Sequence, residues 1–468
     1  MWTEFFDSEI WSRTMLQLSH SEPAIKHGIL ALSIMHERYE SAAPVSMESG
    51  NDFAFKQYTQ AVKHSKQLLA AHQEGRVSLE MVLIACIIFT CYENLAGNYH
   101  NANMHLRNGL RILEQNTNAA GQSTIAPVLY RFDLQAMTFS DNASMYNYEL
   151  GMAPTCPIIA DTYNSNQLAR DDLVSLMRCL LWISGVVDRY PDAVQHPIWL
   201  ATHQTMMAAF DLWEVRFAAY LRNADQRDPK IYAGNTLLKM SAIAIRIVMG
   251  AGAGLTSEIA YDVFLDNFKT IVDLAETIPI LNPQSAFSTP STSPSPSPSQ
   301  TPKTVTGPSQ PRRTQTQTQQ SPRFSPSFEL SPIVPLFIVA CRCRDPTIRR
   351  RAIALLLSYR RREGVWDSLG AGMVAAKCMA REEDLPHITH INGIDGHGGV
   401  EALLVRNPDV RSCADVPEEK RVKDIFVRVE VTKGRVDLVY EMTTGERLGE
   451  KEVVWESRGD DAGATYHR

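Results

Sequence analysis

The stretch Ser78–Leu95, SLEMVLIACIIFTCYENL, decides the fold of this chain. From its second residue to Phe89 the only charged residue is Glu80, so a helix here has no polar face. A helix that is apolar on all sides lies in a protein core or in a membrane. A bilayer span needs about 20 apolar residues, and Glu93 and Asn94 close this run earlier. We therefore expect a buried central helix with other helices packed around it.

The sequence on both sides of this helix repeats its apolar residues at the three-to-four spacing of amphipathic helices. The two nearest stripes are Tyr58, Val62, Ser65 and Leu69 before it and Ala102, Leu106, Gly109 and Leu113 after it. A loop rich in Asn, Thr, Pro and Gly follows, and helical periodicity resumes at about Leu168 and continues to Ile278. Strand signals are missing from this part. The sequence predicts an all-α fold, an irregular multi-helix array joined by short loops.

The composition changes to Ser, Pro, Thr and Gln between residues 283 and 327. Such a segment buries too little apolar surface to offset its ordering entropy, so it predicts a disordered insertion. Its Ser-Pro pairs, such as Ser293-Pro294, fit proline-directed kinases, although the composition alone also produces them. We therefore divide the chain into a helical N-terminal part (1–282), a linker (283–327) and a C-terminal part of the same domain (328–468).

The C-terminal part begins with an apolar run at 335–340 and a helix that starts at Pro346 and is expected to end at Gly364. Its predicted inward positions are Ile348, Ala352, Leu355 and Leu356. The apolar run and this face are too apolar to stand alone, so they should pack on the N-terminal helices. The last segments, IFVRVEV, VDLVYEM and EVVWE, alternate in polarity and predict a small antiparallel β meander.

The global composition bounds the class of protein without naming its function. The 468 residues are 44% hydrophobic, so the chain can bury a full core. Its net charge of −6 gives no overall attraction to nucleic acid or to anionic membranes. The eight cysteines are scattered, several within apolar runs, which is typical of an intracellular protein.

The sequence offers no convincing catalytic or metal site. His387, His390 and His397 could in principle ligate a metal, but a Gly-rich loop presents them poorly, and we expect no metal. Gly396–Gly399 resembles an esterase oxyanion loop, yet no G-x-S-x-G motif accompanies it. Cys341-x-Cys343 lacks the spacing of a redox pair, so both cysteines should pack under a helix. We expect neither an enzyme nor a cofactor.

The remaining signal is a run of arginines. The candidate patch for phosphate contact or nuclear import comprises Arg349, Arg350, Arg351, Arg360, Arg361 and Arg362. The helical pattern predicts that Arg349, Arg350 and Arg360 to Arg362 stay in water. The alternative is a helix face that pairs with acidic neighbours and covers apolar surface with its stems. Arg312-Arg313 in the linker is a second, shorter basic signal.

Three separated segments carry a resemblance to a known family. They are LQLSHSEPAIKHGILALSIMHE, ACIIFTCYENLAGNYHNANMHLRNGLRIL and PLFIVACRCRDPTIRRRAIALLLSYRRREGVWDS. Together they resemble the regulatory region of fungal transcription factors of the six-cysteine binuclear zinc-cluster family, over about Phe5 to Val374. Family members usually carry a zinc cluster with paired C-x2-C half-sites that binds DNA, and this spacing is absent here. The resemblance implies either a member without that cluster or a gene model that has lost an upstream exon.

The resemblance implies a regulator of transcription in the nucleus, or shared between nucleus and cytoplasm. We expect it to act through protein partners, as a homodimer or heterodimer, or through a small effector. We expect no sequence-specific DNA binding by this chain alone and no membrane association. The alternative is a helical ligand-binding scaffold or an enzyme without a recognisable catalytic motif. The sequence does not reveal target genes, the effector, or activation versus repression.

Overall fold

The structure is a computed structural model that describes residues 5–6, 8–40, 52–116, 124–139, 146–252, 257–278, 325–330, 332–358, 361–385, 405–430 and 435–454. Helices dominate these residues, and short strands occur only in their C-terminal part. The predicted all-α class with a small C-terminal antiparallel sheet is confirmed. The composition-based prediction of disorder falls on 283–324, which lie outside the described residues, and on Ser325–Ser327, which form a strand.

The helices are α1 (Met15–Leu18), α2 (Pro23–Glu40), α3 (Phe53–Gln73), α4 (Leu79–Ala96), α5 (Tyr99–Gln115), α6 (Ala126–Thr138), α7 (Asn166–Arg189), α8 (Pro197–Asn223), α9 (Pro229–Gly250), α10 (Leu265–Glu276), α11 (Ile333–Arg342), α12 (Pro346–Ser358) and α13 (Ser368–Glu382). The strands are β1 (Ser325–Ser327), β2 (Arg361–Glu363), β3 (Trp366–Asp367), β4 (Val422–Glu430), β5 (Arg435–Met442) and β6 (Arg447–Val454). A π-helical turn, Ile10–Thr14, precedes α1, and a 3₁₀ segment, Glu258–Phe264, precedes α10.

Helix α4 is the predicted central helix, and nearly all of its side chains from Val82 onward are buried. It ends at Gly97, whose φ of 76° is a left-handed conformation that glycine adopts without a Cβ penalty. Helix α5 buries Ala102, Leu106, Gly109 and Leu113, as predicted. Helix α3 buries a different stripe from the predicted one, because Leu68 points inward and Leu69 is exposed.

Two helices and a small three-stranded sheet were not predicted from the sequence. Helix α6 lies inside the segment that was expected to be a loop, and its start carries no side-chain cap. Helix α13 follows directly after β3, with the Asp367 side chain accepting a hydrogen bond from Gly370 N. Strand β1 pairs in parallel with β2, and β2 pairs with β3 around Gly364. Helix α12 therefore ends at Ser358 and not at Gly364, which instead turns this hairpin with a φ of +57°.

The largest core joins helices from both sides of residues 279–324. It contains Leu237 of α9 and Ile271 of α10 together with Leu336 and Val339 of α11, each less than 2% exposed. The four predicted inward residues of α12, Ile348, Ala352, Leu355 and Leu356, belong to the same core. A second core surrounds α4 and also contains Phe328, next to β1. The parts before and after the linker thus pack against each other, whereas the proposed boundaries at 282 and 327 stay a prediction.

The C-terminal sheet has the order β4-β5-β6, with both pairs antiparallel. Val422, Leu438, Tyr440 and Met442 on its inner face form one hydrophobic cluster with Val374 and Cys378 of α13. Alternation along β5 explains this contact, since every second side chain of a strand points to the same face. The meander is therefore attached to the helical body.

Helices α4 and α9 are long and apolar enough to cross a membrane by length and composition alone. Their most apolar 18-residue windows are 78% and 67% buried inside the protein. Core helices of this kind meet the same criterion, so the burial accounts for their composition.

Candidate functional site

A cavity lies between α6, α7, α9 and the segment that runs from Glu329 into α11. Its volume is about 50 Å³, which is room for roughly three to five ordered waters at ~10–15 Å³ each. Most of the wall is apolar, contributed by Leu134, Met177, Leu181, Ala244, Ile245, Val248, Leu330, Val334, Pro335 and Ile338. The cavity therefore sits at the contact between chain parts that precede and follow residues 279–324.

Four polar side chains that line this cavity, which we call its polar end, each have a buried atom that makes no hydrogen bond to any described residue. These atoms are Arg131 Nε, Gln135 Oε1, Ser241 Oγ and Glu329 Oε1. Buried polar atoms in native proteins are nearly always hydrogen-bonded, and each one left without a partner costs about 1–3 kcal/mol. The polar end therefore places two oxygen acceptors and a hydroxyl without hydrogen-bond partners beside the cavity.

A buried ionic quartet of Arg131, Arg170, Asp171 and Glu329 holds this polar end in place. Arg170 Nη1 donates to Glu329 Oε2 at 2.8 Å, and Arg131 Nη1 donates to Asp171 Oδ1 at 3.1 Å. Arg131 Nε also lies 3.5 Å from Glu329 Oε2. Two positive and two negative charges balance within the quartet. Burial, together with the neighbouring Arg170 charge, lowers the pKa of the Arg131 guanidinium.

Gln135 connects the quartet to the backbone after β1. Its Nε2 donates to the Glu329 carbonyl at 3.0 Å. Its Oε1 faces Gly364, where an added Cβ would lie 2.1 Å from that oxygen. A side chain at position 364 would therefore have to displace the Gln135 amide, and the positive φ of this residue favours glycine as well.

The structure places the arginine patch mostly inside the protein. Arg349, Arg350, Arg361 and Arg362 are each no more than 6% exposed. Arg351 is partly exposed and pairs with Asp273 and Glu276, and Arg360 lies outside the described residues. The expectation that Arg349, Arg350, Arg361 and Arg362 stay in water was wrong, because each guanidinium has a carboxylate or carbonyl partner. The partners are Glu382, Glu383, Glu363 and the Asn94 carbonyl, respectively.

Arg362 connects the arginine run to the central helix. Its Nη2 donates to the Asn94 carbonyl at 2.7 Å and to the Tyr99 hydroxyl at 2.6 Å. The last carbonyls of a helix carry a partial negative charge and have no partner within the helix. A cation from β2 therefore satisfies the C-terminal end of α4. The role of the six arginines in phosphate contact or nuclear import stays a prediction. For Arg362, that role would require its hydrogen bonds to Asn94 and Tyr99 to break.

A second ionic cluster ties the 3₁₀ segment, α12 and α13 to the start of β4. Glu382 accepts hydrogen bonds from Arg344 Nη2 at 2.9 Å, from Arg349 Nη1 at 2.6 Å and from Val422 N at 2.8 Å. Glu258 accepts from Arg344 Nη1 at 2.9 Å and from Arg342 Nη1 at 2.8 Å. We call these residues the Glu382 network. It holds elements together that are up to 164 positions apart in the chain, from 258 to 422.

The charges of the Glu382 network control the ionisation of its central carboxyl. Burial alone would raise the pKa of Glu382, but the charges of Arg344 and Arg349 and their hydrogen bonds outweigh it. The pKa is lowered from 4.5 to about 2. The carboxylate is therefore ionised at neutral pH in spite of its complete burial.

The other residues singled out in the sequence are divided between the core and segments outside the described residues. Cys341 and Cys343 are 6% and 1% exposed and belong to the main core, as expected. His387, His390, His397 and the Gly396–Gly399 loop lie outside the described residues, as does Arg312-Arg313.

The cavity residues themselves were missed in the sequence. Arg131, Arg170 and Ser241 each interrupt an apolar helical pattern, and Glu329 is the first carboxylate after the Ser/Pro-rich segment. A charged residue on the inward face of a predicted helix requires a buried partner, and this is the signal that could have indicated them. The partner's identity was not accessible, because Arg170 and Glu329 are 159 positions apart.

Comparison with known proteins finds one matching family model and two related transcription regulators. Residues 3–183, which extend from the N-terminus into α7, match the model of the fungal specific transcription factor domain. The chain is 25% identical over 420 residues to the aspercryptin biosynthesis cluster-specific transcription regulator atnN of Emericella nidulans, covering 76% of this chain and 67% of that protein. It is 27% identical over 111 residues to the transcription regulator lscL of Purpureocillium lilacinum, covering 22% of this chain and 26% of that protein.

No solved structure matches the chain significantly. The family domain and both relatives support a role in the regulation of transcription. The match over residues 3–183, together with these relatives, confirms the resemblance of this chain to the regulatory region of fungal zinc-cluster transcription factors.

Proposed function

We propose that this chain is a nuclear, non-enzymatic regulator of transcription whose helical body responds to a small effector bound in the cavity. The observation that carries this proposal is the polar end of the cavity, where Gln135, Ser241 and Glu329 each have a buried polar atom that makes no hydrogen bond to a described residue. An apolar pocket with a few convergent polar groups is the usual form of a small-molecule site.

The lining defines the chemistry of the effector. A hydroxyl or amino group fits the polar end, because it can donate to Gln135 Oε1 and Glu329 Oε1 and can bond to Ser241 Oγ. The remainder of the molecule has to be aliphatic, since Met177 and Ile338 are among the apolar residues around it. A cavity of about 50 Å³ admits only a compact molecule, and a larger effector has to displace α11 outward.

The position of the cavity suggests how an effector would change the protein. One wall belongs to α6, α7 and α9, and the opposite wall belongs to Glu329–Leu330 and α11. A ligand shifts a conformational equilibrium only through its different affinity for the two states. A molecule that contacts both walls favours the state in which α11 is docked, and so stabilises the joined form of the chain.

Target recognition, in this proposal, belongs to a DNA-bound protein partner. Readout of a DNA sequence requires side chains that reach base edges in a groove, in addition to phosphate contacts. The printed sequence contains no paired C-x2-C half-sites, and four of the six candidate arginines are buried in ion pairs or on a helix end. A zinc-cluster relative is the kind of partner that would supply the missing contact.

The test joins a transcription reporter to a binding measurement. The chain is fused to an unrelated DNA-binding domain upstream of a reporter gene, and expression is compared with that domain alone. In parallel, thermal unfolding of the chain is followed with short-chain aliphatic alcohols, amines and diols. We expect the fusion to change reporter expression, and compounds that carry one polar end to raise the melting temperature.

Two variants at one position separate cavity binding from general effects. Ser241→Val fills the cavity with methyl groups and removes the hydroxyl, whereas Ser241→Ala removes only the hydroxyl. We expect Ser241→Val to fold with an unchanged or higher melting temperature and to lose the response to the compounds, and Ser241→Ala to keep a weaker response. Equal responses in all three proteins would place ligand binding elsewhere, and an inactive fusion would contradict the regulatory role.

A further inference from the structure

Helix α8 is apolar on two opposite faces. Its inner face buries Trp199, Met206, Phe210, Trp213 and Phe217. The helix also has an outer face, two positions further along the chain from several of these residues and so about 200° around the helix at ~100° per residue. This outer face consists of exposed residues: Ile198, Ala201, Thr205, Ala208, Leu212 and Val215. Ile198 is 60%, Leu212 41% and Val215 66% exposed. The outer face of a surface helix is ordinarily polar.

The outer residues follow a heptad repeat. Counting from Ile198 their spacing alternates between three and four, and the half-buried Ala219 continues it. The repeat covers three heptads, the length at which the pattern indicates a coiled coil, and spans about 32 Å at 1.5 Å per residue. The only polar member, Thr205, donates its hydroxyl hydrogen to the Ala201 carbonyl at 2.8 Å. The face therefore buries no unsatisfied group when another helix covers it.

The first half of this helix carries no charged side chain. Between Pro197 and Phe210 the helix carries no Asp, Glu, Lys or Arg. Asp211 occupies a g position and Arg216 the e position of the following heptad when Ile198 is taken as a. In a parallel pair of helices these positions face each other and form interhelical ion pairs. An antiparallel pair sets g beside g and e beside e, which brings like charges together.

We propose that the outer face of α8 binds a second copy of this chain, as a parallel two-stranded coiled coil around a two-fold axis. Each copy supplies one Asp211 and one Arg216, so the two-fold axis creates two equivalent ion pairs and the surface is complementary to itself. Both side chains are accessible for this contact, with 61% of Asp211 and 36% of Arg216 exposed.

The present partners of these two charges do not prevent the contact. Asp211 pairs with Arg246, which also bonds to Glu214, so Arg246 keeps a carboxylate when Asp211 turns outward. Arg216 lies 3.6 Å from Asp161, whose side chain is 97% exposed. Exposed ion pairs of this kind are worth about 0–1 kcal/mol, which is a small barrier to an exchange of partners.

The test measures the mass of the full chain by sedimentation equilibrium at micromolar concentration. We expect the mass of two chains for the wild type. Leu212→Asp should weaken self-association at least about tenfold, because two like charges then face each other across the axis. Leu212 is exposed in the single chain, so the variant should keep the helical circular dichroism of the wild type. Val263→Asp is the matched control, since Val263 is 79% exposed and lies outside α8.

Charge exchange tests the parallel arrangement. Asp211→Arg and Arg216→Asp should each weaken the dimer, and the double variant should recover most of the wild-type mass. A wild-type chain that sediments as a monomer would overturn the proposal, as would a dimer that Val263→Asp weakens as much as Leu212→Asp. A dimer that Leu212→Asp disrupts and the charge variants leave unchanged would overturn the parallel arrangement.

Discussion

Arg170 Nη1 lies 2.8 Å from Glu329 Oε2, and this buried ion pair joins α7 to the segment that leads into α11. The two residues are 159 positions apart and are less than 5% exposed. Arg170 also lies over the ring of Phe6 at 4.8 Å, so the pair holds a third segment of the chain. Glu329 also lines the cavity, so the pair lies beside the site that we propose for an effector.

Replacing Glu329 by Ala should destabilise the fold strongly. Arg131 and Arg170 would then share Asp171 alone, and breaking a buried ion pair by removing one partner costs about 3–5 kcal/mol. Urea unfolding followed by circular dichroism measures the loss. Glu74→Ala is the control, because Glu74 and its partner Arg76 are 59% and 64% exposed, and exposed pairs contribute about 0–1 kcal/mol. Similar losses in both variants would show that the quartet has no special role.

The Glu382 network predicts a defined loss of stability in acid. The pKa of Glu382 is about 2 in the folded protein, below its ordinary 4.5, so the folded state binds fewer protons than the unfolded state between these values. Stability from this group is therefore complete above pH 4.5 and is lost as the pH falls towards 2. Glu382→Gln should lower the free energy of unfolding at neutral pH by about 3 kcal/mol and make its pH dependence in this window flatter.

The measurement is urea unfolding at several pH values for the wild type and Glu382→Gln. Asp273→Asn serves as the control, since Asp273 pairs with Arg351 at a half-exposed site. It should retain the wild-type slope. Parallel pH profiles for the wild type and Glu382→Gln would contradict the assigned ionisation.

The contact between α2 and α4 leaves no room for a side chain at Gly28. An added Cβ would lie 2.7 Å from Ile88 Cγ2, and overpacking a core costs about 1–3 kcal/mol. Gly28→Val should therefore destabilise the protein, and Ile88→Ala should do so by leaving a cavity. The double variant should lose less than the sum of the two, because the valine fills the space of the isoleucine. Unfolding free energies of all four proteins test this, and simple additivity would contradict the contact.

The parts of the fold that could be predicted are those determined by local pattern. The limits of α4 differ by one residue from the predicted Ser78–Leu95, because a run without a polar face permits only one interpretation. The inward face of α5 was predicted in the same way, from one stripe of residues at three-to-four spacing. Helix α6 was missed because its start signal is weak: no side chain caps it, and an Asn- and Gly-containing sequence precedes it.

The site could not be predicted in the same way because its contacts are not local. The sequence shows that Arg349 and Arg350 are charged, and a helix pattern alone places them in water. Their partners Glu382 and Glu383 lie 33 positions further along the chain, and only the packing of α12 on α13 brings them together. For Glu329 the separation from Arg170 is larger still, so its burial depends on the complete fold.

The two fragments of a chain that is cleaved inside the linker should stay associated. A specific protease site inserted between residues 283 and 324 allows a single cut, after which the two fragments should coelute in size-exclusion chromatography. The main core contains residues of α9 and α10 together with residues of α11 and α12, and Arg344 binds Glu258 across the same boundary. Coelution should persist at high salt, because buried pairs are screened little, and should end in denaturant. Separate fragments under native conditions would indicate two independent domains.

The chain as given should not select a DNA sequence by itself. Its net charge is −6, and the guanidinium groups of Arg349, Arg350, Arg361 and Arg362 are buried with other partners. Contact with phosphates through the remaining exposed cations would be weak and would fall steeply with salt, since it depends on the release of counterions. Without side chains directed at base edges, such contact cannot distinguish one sequence from another.

The test is to incubate the purified chain with a pool of random duplexes at near-physiological salt and to sequence the retained DNA. We expect no enriched motif from the chain alone. The same chain fused to a DNA-binding domain of known specificity is the control, and it should enrich that domain's site and show that the chain does not block selection. A motif enriched by the unfused chain, without any added partner, would contradict the proposal that a separate DNA-bound protein directs it to its genes.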